Sequence, residues 1–167
     1  VSMDSHTFQE FYLKGYQAGI DAGAGMVMTS FNTIDGIPAS TNHHLMRDIL
    51  RGELGFDGVL ISDFAAIKET IAHGYSENGE KAAENALRAG VDIDMMTTTY
   101  LDHVADLIQK GVLKEELLDE SVMRILELKN RLGLFENPYK DADEEKEKEL
   151  FLCQEHRKTA RKAAARS

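Results

Sequence analysis

The chain has one cysteine, Cys153, among 167 residues, and that scarcity excludes an intrachain disulfide. It leaves the redox compartment open, because secreted proteins without disulfides are common. Positive charge is also scarce: 19 lysines and arginines stand against 29 aspartates and glutamates, a formal charge of −10. A balance of that sign disfavours nonspecific attachment to nucleic acid or to an anionic membrane, and a neutral, small or sugar-like substrate fits it better. No apolar run approaches the roughly 20 residues that span a bilayer, and the first residues lack the basic and apolar regions of a signal peptide. Val1-Ser2-Met3 has no obvious start, and Ala163 to Ser167 stop inside an expected helix, so the sequence reads as a piece of something longer.

What is present is a 43% apolar content, enough for one sizeable core, arranged in short runs. Three of them, 26–31, 59–62 and 91–94, recur with about one β/α unit of sequence between neighbours and read as parallel strands. Before the first, Phe8, Phe11, Tyr12, Tyr16 and Ile20 fall at helical spacing over 7–22, with Asp4 or Ser5 able to cap the start. Thr41 or Asn42 can cap a second helix through Leu54, with Leu45, Met46, Ile49 and Leu50 on one face. Further helices are expected over 67–73, from Asn78 or Gly79 through Ala89, over 101–110 and over 117–132. The last carries an apolar stripe of Leu118, Val122, Ile125, Leu126 and Leu132, with Gly133 as its stop.

Phe135 and Pro138 are expected to close a packed region spanning residues 1–139. Residues 140–154 read as an acidic, exposed linker, and the basic, alanine-rich 155–167 as a helix opening a following domain. Three parallel strands cannot close a barrel and would leave long unpaired edges, which predicts self-association of an isolated piece. Within this pattern, Gly55 to Phe64 holds the most chemistry: an uninterrupted Val59-Leu60-Ile61 ends in the carboxylate of Asp63, where the chain must turn. Chemistry collects at such strand ends in parallel α/β folds. Standing alone, Asp63 serves as well for a turn or cap as for a nucleophile.

The run Val27 to Asn32, followed by Asp35 to Ala39, Leu45 to Arg51 and Gly55 to Phe64, resembles glycoside hydrolase family 3 in order and spacing. Ala89 to Met95, Arg124-Ile125-Leu126 and Gly133-Leu134-Phe135 extend the likeness to that family's β-glucosidases over nearly the whole chain. The resemblance implies an α/β fold: the last three β/α units of a TIM-like (β/α)8 barrel, followed by a linker toward an α/β sandwich almost wholly outside the chain. Asp63 matches the family nucleophile of a retaining mechanism through a glycosyl-aspartate.

Phe64 stands where the family usually has a tryptophan bordering the sugar pocket, and Phe31 at an aromatic position that is often tyrosine. For both, sugar contact and core packing stay open. Met28 reads as core filler and Asn32 as a turn residue, both secondary candidates for substrate contact. The acid/base glutamate and a lysine–histidine pair belong to parts of the family outside this chain. Glu115, Glu116 and Glu120 are therefore left as solvated helix surface, and the chain alone is expected to be inactive.

Other polar groups have plainer readings. Asp92 and Asp94 share a strand face, where a metal or a salt bridge can answer their repulsion, and a local structural role is favoured over catalysis. His43 and His44 should diverge on a helix, which argues against a metal site. His73 and His103 read as surface or packing. Asp4-Ser5-His6 offers hydrolase-like types but fits helix capping better. The basic tail from Arg157 to Arg166 lacks interleaved aromatics and reads as a solvated helix face rather than a nucleic-acid arm.

The resemblance thus implies a bacterial-type exo-β-glucosidase acting on a β-glucoside or short oligosaccharide, with no metal or organic cofactor and with no nucleic-acid or membrane partner. The compartment is open between cytoplasm and periplasm or exterior. Alternatives are β-xylosidase or β-N-acetylhexosaminidase activity on the same scaffold, or a noncatalytic carbohydrate-binding or assembly module.

Overall fold

The computed structural model describes residues 2–140 and 142–166. The chain divides into two units, Val1–Arg131 and Leu132–Ser167. The first begins with a continuous helical stretch made of α1 (Ser5–Thr7), a wide π-type segment Phe8–Leu13, and α2 (Lys14–Asp21). Asp4 starts it, its carboxylate accepting the Thr7 N–H at 3.0 Å and the Thr7 hydroxyl at 2.8 Å. These bonds hold the Asp4 carboxyl below its ordinary value. The apolar spacing gives this stretch its helicity without burial: Phe11, Tyr12 and Tyr16 are exposed.

β1 (Met26–Met28) and β4 (Val59–Ile61) form a parallel pair in the register Met26↔Val59, Val27↔Leu60, Met28↔Ile61. The third strand expected over 91–94 is a single parallel bridge, Ile61↔Ile93. The ladder is cut short on both sides. Leu60 N–H is taken by the Asp92 side chain at 2.8 Å, and Val91 C=O by the Tyr100 hydroxyl at 2.8 Å.

A small antiparallel hairpin, β2 (Thr33–Ile34) with β3 (Ile37–Pro38), was not anticipated. It turns on Asp35 and Gly36, both at positive φ, the Asp-Gly signature of a tight hairpin.

The second helix, His44–Glu53, is wide-wound, with Leu54 N–H reaching Ile49 C=O at 2.9 Å, and is capped by Asn42 through Leu45 N–H at 3.0 Å. Then follow α3 (Ala66–Ala72), α4 (Gly79–Ala89), α5 (Thr99–Gln109) and α6 (Glu115–Arg131). Asn78 caps α4 by accepting Lys81 N–H at 2.9 Å.

The core gathers Met46, Leu50 and Phe56 around Leu60, with Ile67, Ala82, Ala86 and Val91. A second cluster joins α4 to α5 through Leu87, Val104 and Leu107. Alanines on the buried face of α4 let it approach closely, so apolar area leaves water without large side chains. Gly58 is required by another close approach, since a Cβ there would lie 2.5 Å from Gly25 O.

The stripe on α6 is less covered than its spacing suggested: Val122, Leu126 and Leu132 are exposed, and of the helix only Ser121 is buried.

In the second unit Phe135 and Pro138 are exposed and close no packed region. The segment read as linker carries a helix, α7 (Glu144–Leu150), because Asp143 accepts the N–H groups of Glu145 and Lys146 at 3.1 and 3.0 Å and acidic residues fill the first turn. α8 (Gln154–Ala164) is the expected basic helix, and none of its residues is buried.

Candidate active site

Because β1, β4 and residue 93 run parallel and in register, the chain leaves all three at one edge. Phe31 follows β1 there, Asp63 and Phe64 follow β4, and Met95 and Met96 follow Ile93. Asp63 is half-buried, and its Oδ1 accepts the Phe64 N–H at 2.6 Å. Among the described residues no other donor reaches this carboxylate and no ion pair involves it. One oxygen is therefore available to an incoming electrophile.

The turn holding Asp63 is fixed by its backbone. Ser62 N–H donates to Ile93 C=O at 2.9 Å, Ala65 N–H to Met95 C=O at 2.9 Å, and Ala66 N–H to Asp63 C=O at 3.1 Å. Ala65 sits at φ 57°, a left-handed conformation that costs an alanine about 1–2 kcal/mol and is held by these flanking bonds.

Phe64 is 57% exposed, Phe31 42% and Met28 46%. None of the three is buried within this chain. Met28 lies in the β1–β4 ladder opposite Ile61, two residues short of the Asp63 level. It lines an apolar cavity of about 240 Å³ together with Tyr12, Tyr16, Ile49 and others, which does not include Asp63, Phe64 or Phe31.

Beneath the site, Asp92 forms a buried polar hub that sequence reasoning narrowed to a local structural role without naming its partners. Its Oδ2 accepts Arg51 Nη2 at 2.9 Å and Leu60 N–H at 2.8 Å, and its Oδ1 accepts Arg124 Nη1 at 2.9 Å. Arg51 also donates to Gly58 C=O at 3.0 Å, and its guanidinium lies 5.7 Å from the Phe56 ring centre. Burial draws the Arg51 guanidinium below its ordinary value while Asp92 pulls the other way.

Glu120 is exposed on α6, as expected, and Arg124 and Arg47 meet on it at 3.1 and 2.8 Å. The Arg47 bond comes first among the causes that hold the Glu120 carboxyl below its usual range.

Asp94 has separate partners, taking the Thr97 hydroxyl at 2.7 and 2.6 Å. Tyr100, half-buried as a whole, points its hydroxyl inward, and burial followed by the nearby Asp94 and Asp92 charges raises its ionisation well above the usual tyrosine value.

His43 and His44 do not diverge: their Nδ1 atoms lie 3.8 and 2.9 Å from the carboxylate of Asp48. Among the described residues no group of three His, Cys, Asp or Glu side chains is placed to hold a metal ion, and no helix is long and apolar enough to cross a membrane.

Residues 1–128 match the family described as the glycosyl hydrolase family 3 N terminal domain. The chain is similar to a periplasmic beta-glucosidase of Salmonella typhimurium, at 38% identity over 100% of this chain and 22% of that protein. It is similar to a beta-xylosidase of Formosa agariphila, at 36% identity over 86% of this chain and 21% of that one. Its backbone matches a crystal structure of a beta-glucosidase from Listeria innocua in complex with glucose, with a TM-score of 0.91 and 51% identity over 98% of this chain and 22% of that chain. A mutant of the Listeria enzyme is seen in complex with laminaribiose. The chain spans about a fifth of the length of the curated relatives it matches.

Proposed function

The chain belongs to glycoside hydrolase family 3, and on that footing we propose that it carries the nucleophile, Asp63, of a retaining exo-β-glucosidase whose other parts lie on a longer polypeptide. The observation that carries the reading is the position of Asp63: a half-buried carboxylate at the C-terminal edge of parallel strands, with one oxygen unengaged among the described residues.

In the first step an Asp63 oxygen attacks C1 of a terminal non-reducing β-glucosyl unit. The C1–oxygen bond breaks as an acid elsewhere in the enzyme protonates the leaving oxygen. In the second step water attacks C1, gives its proton to the same group acting as base, and frees the carboxylate. Two inversions restore the original configuration. Phe31 and Phe64 supply apolar walls for the C–H faces of the sugar, which suits their exposure, while Met28, which lines the separate cavity, stays a secondary contact.

The small share of each relative that the chain covers supports the reading as the last three β/α units of a barrel. The same reading assigns 1–139 to that barrel, 140–154 to a connector and 155–167 to the start of a following domain, and makes the chain inactive by itself.

The glucose complex of the Listeria structure supports glucose over other sugars, while the similarity to a Formosa beta-xylosidase favours xylosides as the second reading. Nitrophenyl glycosides offered to the full-length enzyme decide between them: a β-glucoside is the preferred substrate, and a β-xyloside turned over faster would reverse the assignment. In the same enzyme Asp63→Ala abolishes glycosyl-enzyme formation and is partly rescued by azide. Undiminished turnover would remove Asp63 from the mechanism.

A further inference from the structure

We propose that the hydroxyl of Ser62 is a positioning group for the reaction: it fixes the peptide of Asp63 against the segment that follows Ile93, and so sets where the nucleophilic carboxylate stands. The proposal rests on the reading of Asp63 as nucleophile. Ser62 is fully buried, with 0% of its surface exposed, immediately after the apolar strand β4. Its Oγ is engaged twice, accepting Met95 N–H at 2.8 Å and donating to Asp63 C=O at 3.0 Å.

Three bonds tie the 62–65 turn to residues 93–95: Ser62 N–H to Ile93 C=O, Met95 N–H to Ser62 Oγ, and Ala65 N–H to Met95 C=O. The middle one is the only one made by a side chain, and the same oxygen reaches the Asp63 carbonyl. Without it the turn keeps only its two backbone bonds to residues 93–95, and the half-buried Met95 N–H loses its acceptor. Serine suits the position because its single hydroxyl donates and accepts at once from a fully buried side chain. A hydroxyl that touches no substrate acts on the rate through geometry: a carboxylate misplaced by about 1 Å costs on the order of a hundredfold.

The test uses the full-length enzyme and a 2-fluoroglycoside that traps the glycosyl-enzyme. Ser62→Ala slows covalent trapping and kcat by about ten- to a hundredfold, while the dissociation constant for glucose, a neutral ground-state ligand, stays within about twofold of wild type. Ser62→Cys, of similar size with a weaker donor and acceptor, falls between, and keeps the comparison available if the alanine form does not fold. Ser62→Thr, which restores the hydroxyl, recovers much of the rate.

Trapping at the wild-type rate in the alanine or cysteine form overturns the positioning role, as does a loss of glucose affinity equal to the loss of rate, which is the mark of general disruption. An adduct found in the wild-type enzyme on a peptide without Asp63 overturns the nucleophile assignment and this proposal together. An adduct on Asp63 with no effect at Ser62 overturns the positioning role alone.

Discussion

Replacing Asp92 by alanine removes a carboxylate whose side chain is 0% exposed and which serves two guanidiniums and one backbone N–H. Arg51 and Arg124, 11% and 17% exposed, are left with buried charge facing a void. Removing one partner of a buried ion pair costs about 3–5 kcal/mol, mostly through the stranded charge, and the Leu60 N–H adds about 1–3 kcal/mol if nothing replaces its acceptor. Arg124 keeps Glu120 at 3.1 Å and Arg51 keeps Gly58 C=O at 3.0 Å, so the lower figure is the better expectation.

Three to five kcal/mol is roughly 6–20 °C in Tm on the scale of 2–4 °C per kcal/mol for a domain of 150–250 residues. Thermal unfolding of the full-length enzyme, followed by near-UV circular dichroism, measures it. The double variant Asp92→Ala/Arg51→Met removes one stranded charge along with its partner and regains part of the loss, a coupling of about 0.5–3 kcal/mol. A shift below about 2 °C in the single variant, or strictly additive effects in the double, would refute the view that this hub anchors the sheet.

Two further predictions follow from the same neighbourhood. Tyr100→Phe leaves Val91 C=O without the hydroxyl it accepts and lowers stability by about 1–3 kcal/mol, read as a fall in Tm; in the parent enzyme this tyrosine stays protonated above its ordinary value of about 10 in an ultraviolet titration. Glu120, paired with Arg47, and Glu84, paired with Lys81 and Arg88, both ionise below the usual glutamate value. Their contribution is complete above the unfolded-chain value of about 4.3 and is lost as pH falls through the folded values, so Tm drops on acidification and Glu120→Gln makes that slope shallower.

Local signals in the sequence carried the architecture well where one residue decides an outcome. Asp4, Asn42 and Asn78 start helices by accepting N–H groups three residues on, and in the Val-Leu-Ile strand Val59 and Leu60 are fully buried, in keeping with its lack of polar interruption, while Ile61 is half-buried. The signal for the β2–β3 hairpin was present in Asp35-Gly36 between isoleucines, and only its brevity hid it. The third strand failed for a reason beyond any local window: Asp92 and Tyr100 each claim a backbone group that a longer ladder needs.

The same holds for the site. Asp63 stands out by sequence because a carboxylate closes an apolar run. The Arg51–Asp92–Arg124 hub joins residues 41 and 32 positions apart, and no periodicity pairs them. Ser62 carries no local signal, since its bond to Met95 N–H depends on where the chain after Ile93 returns. The exposure of Val122 and Leu126 shows that apolar spacing on a helix identifies a face without supplying the surface that covers it.

The most direct measurement of the central claim is the site of the covalent intermediate. Full-length enzyme inactivated with a 2-fluoro-β-glucoside, digested and sequenced by mass spectrometry, should carry the sugar on Asp63 within the peptide that includes Leu60-Ile61-Ser62-Asp63-Phe64. The same mass increment on any other residue, with Asp63 unmodified, would contradict the account.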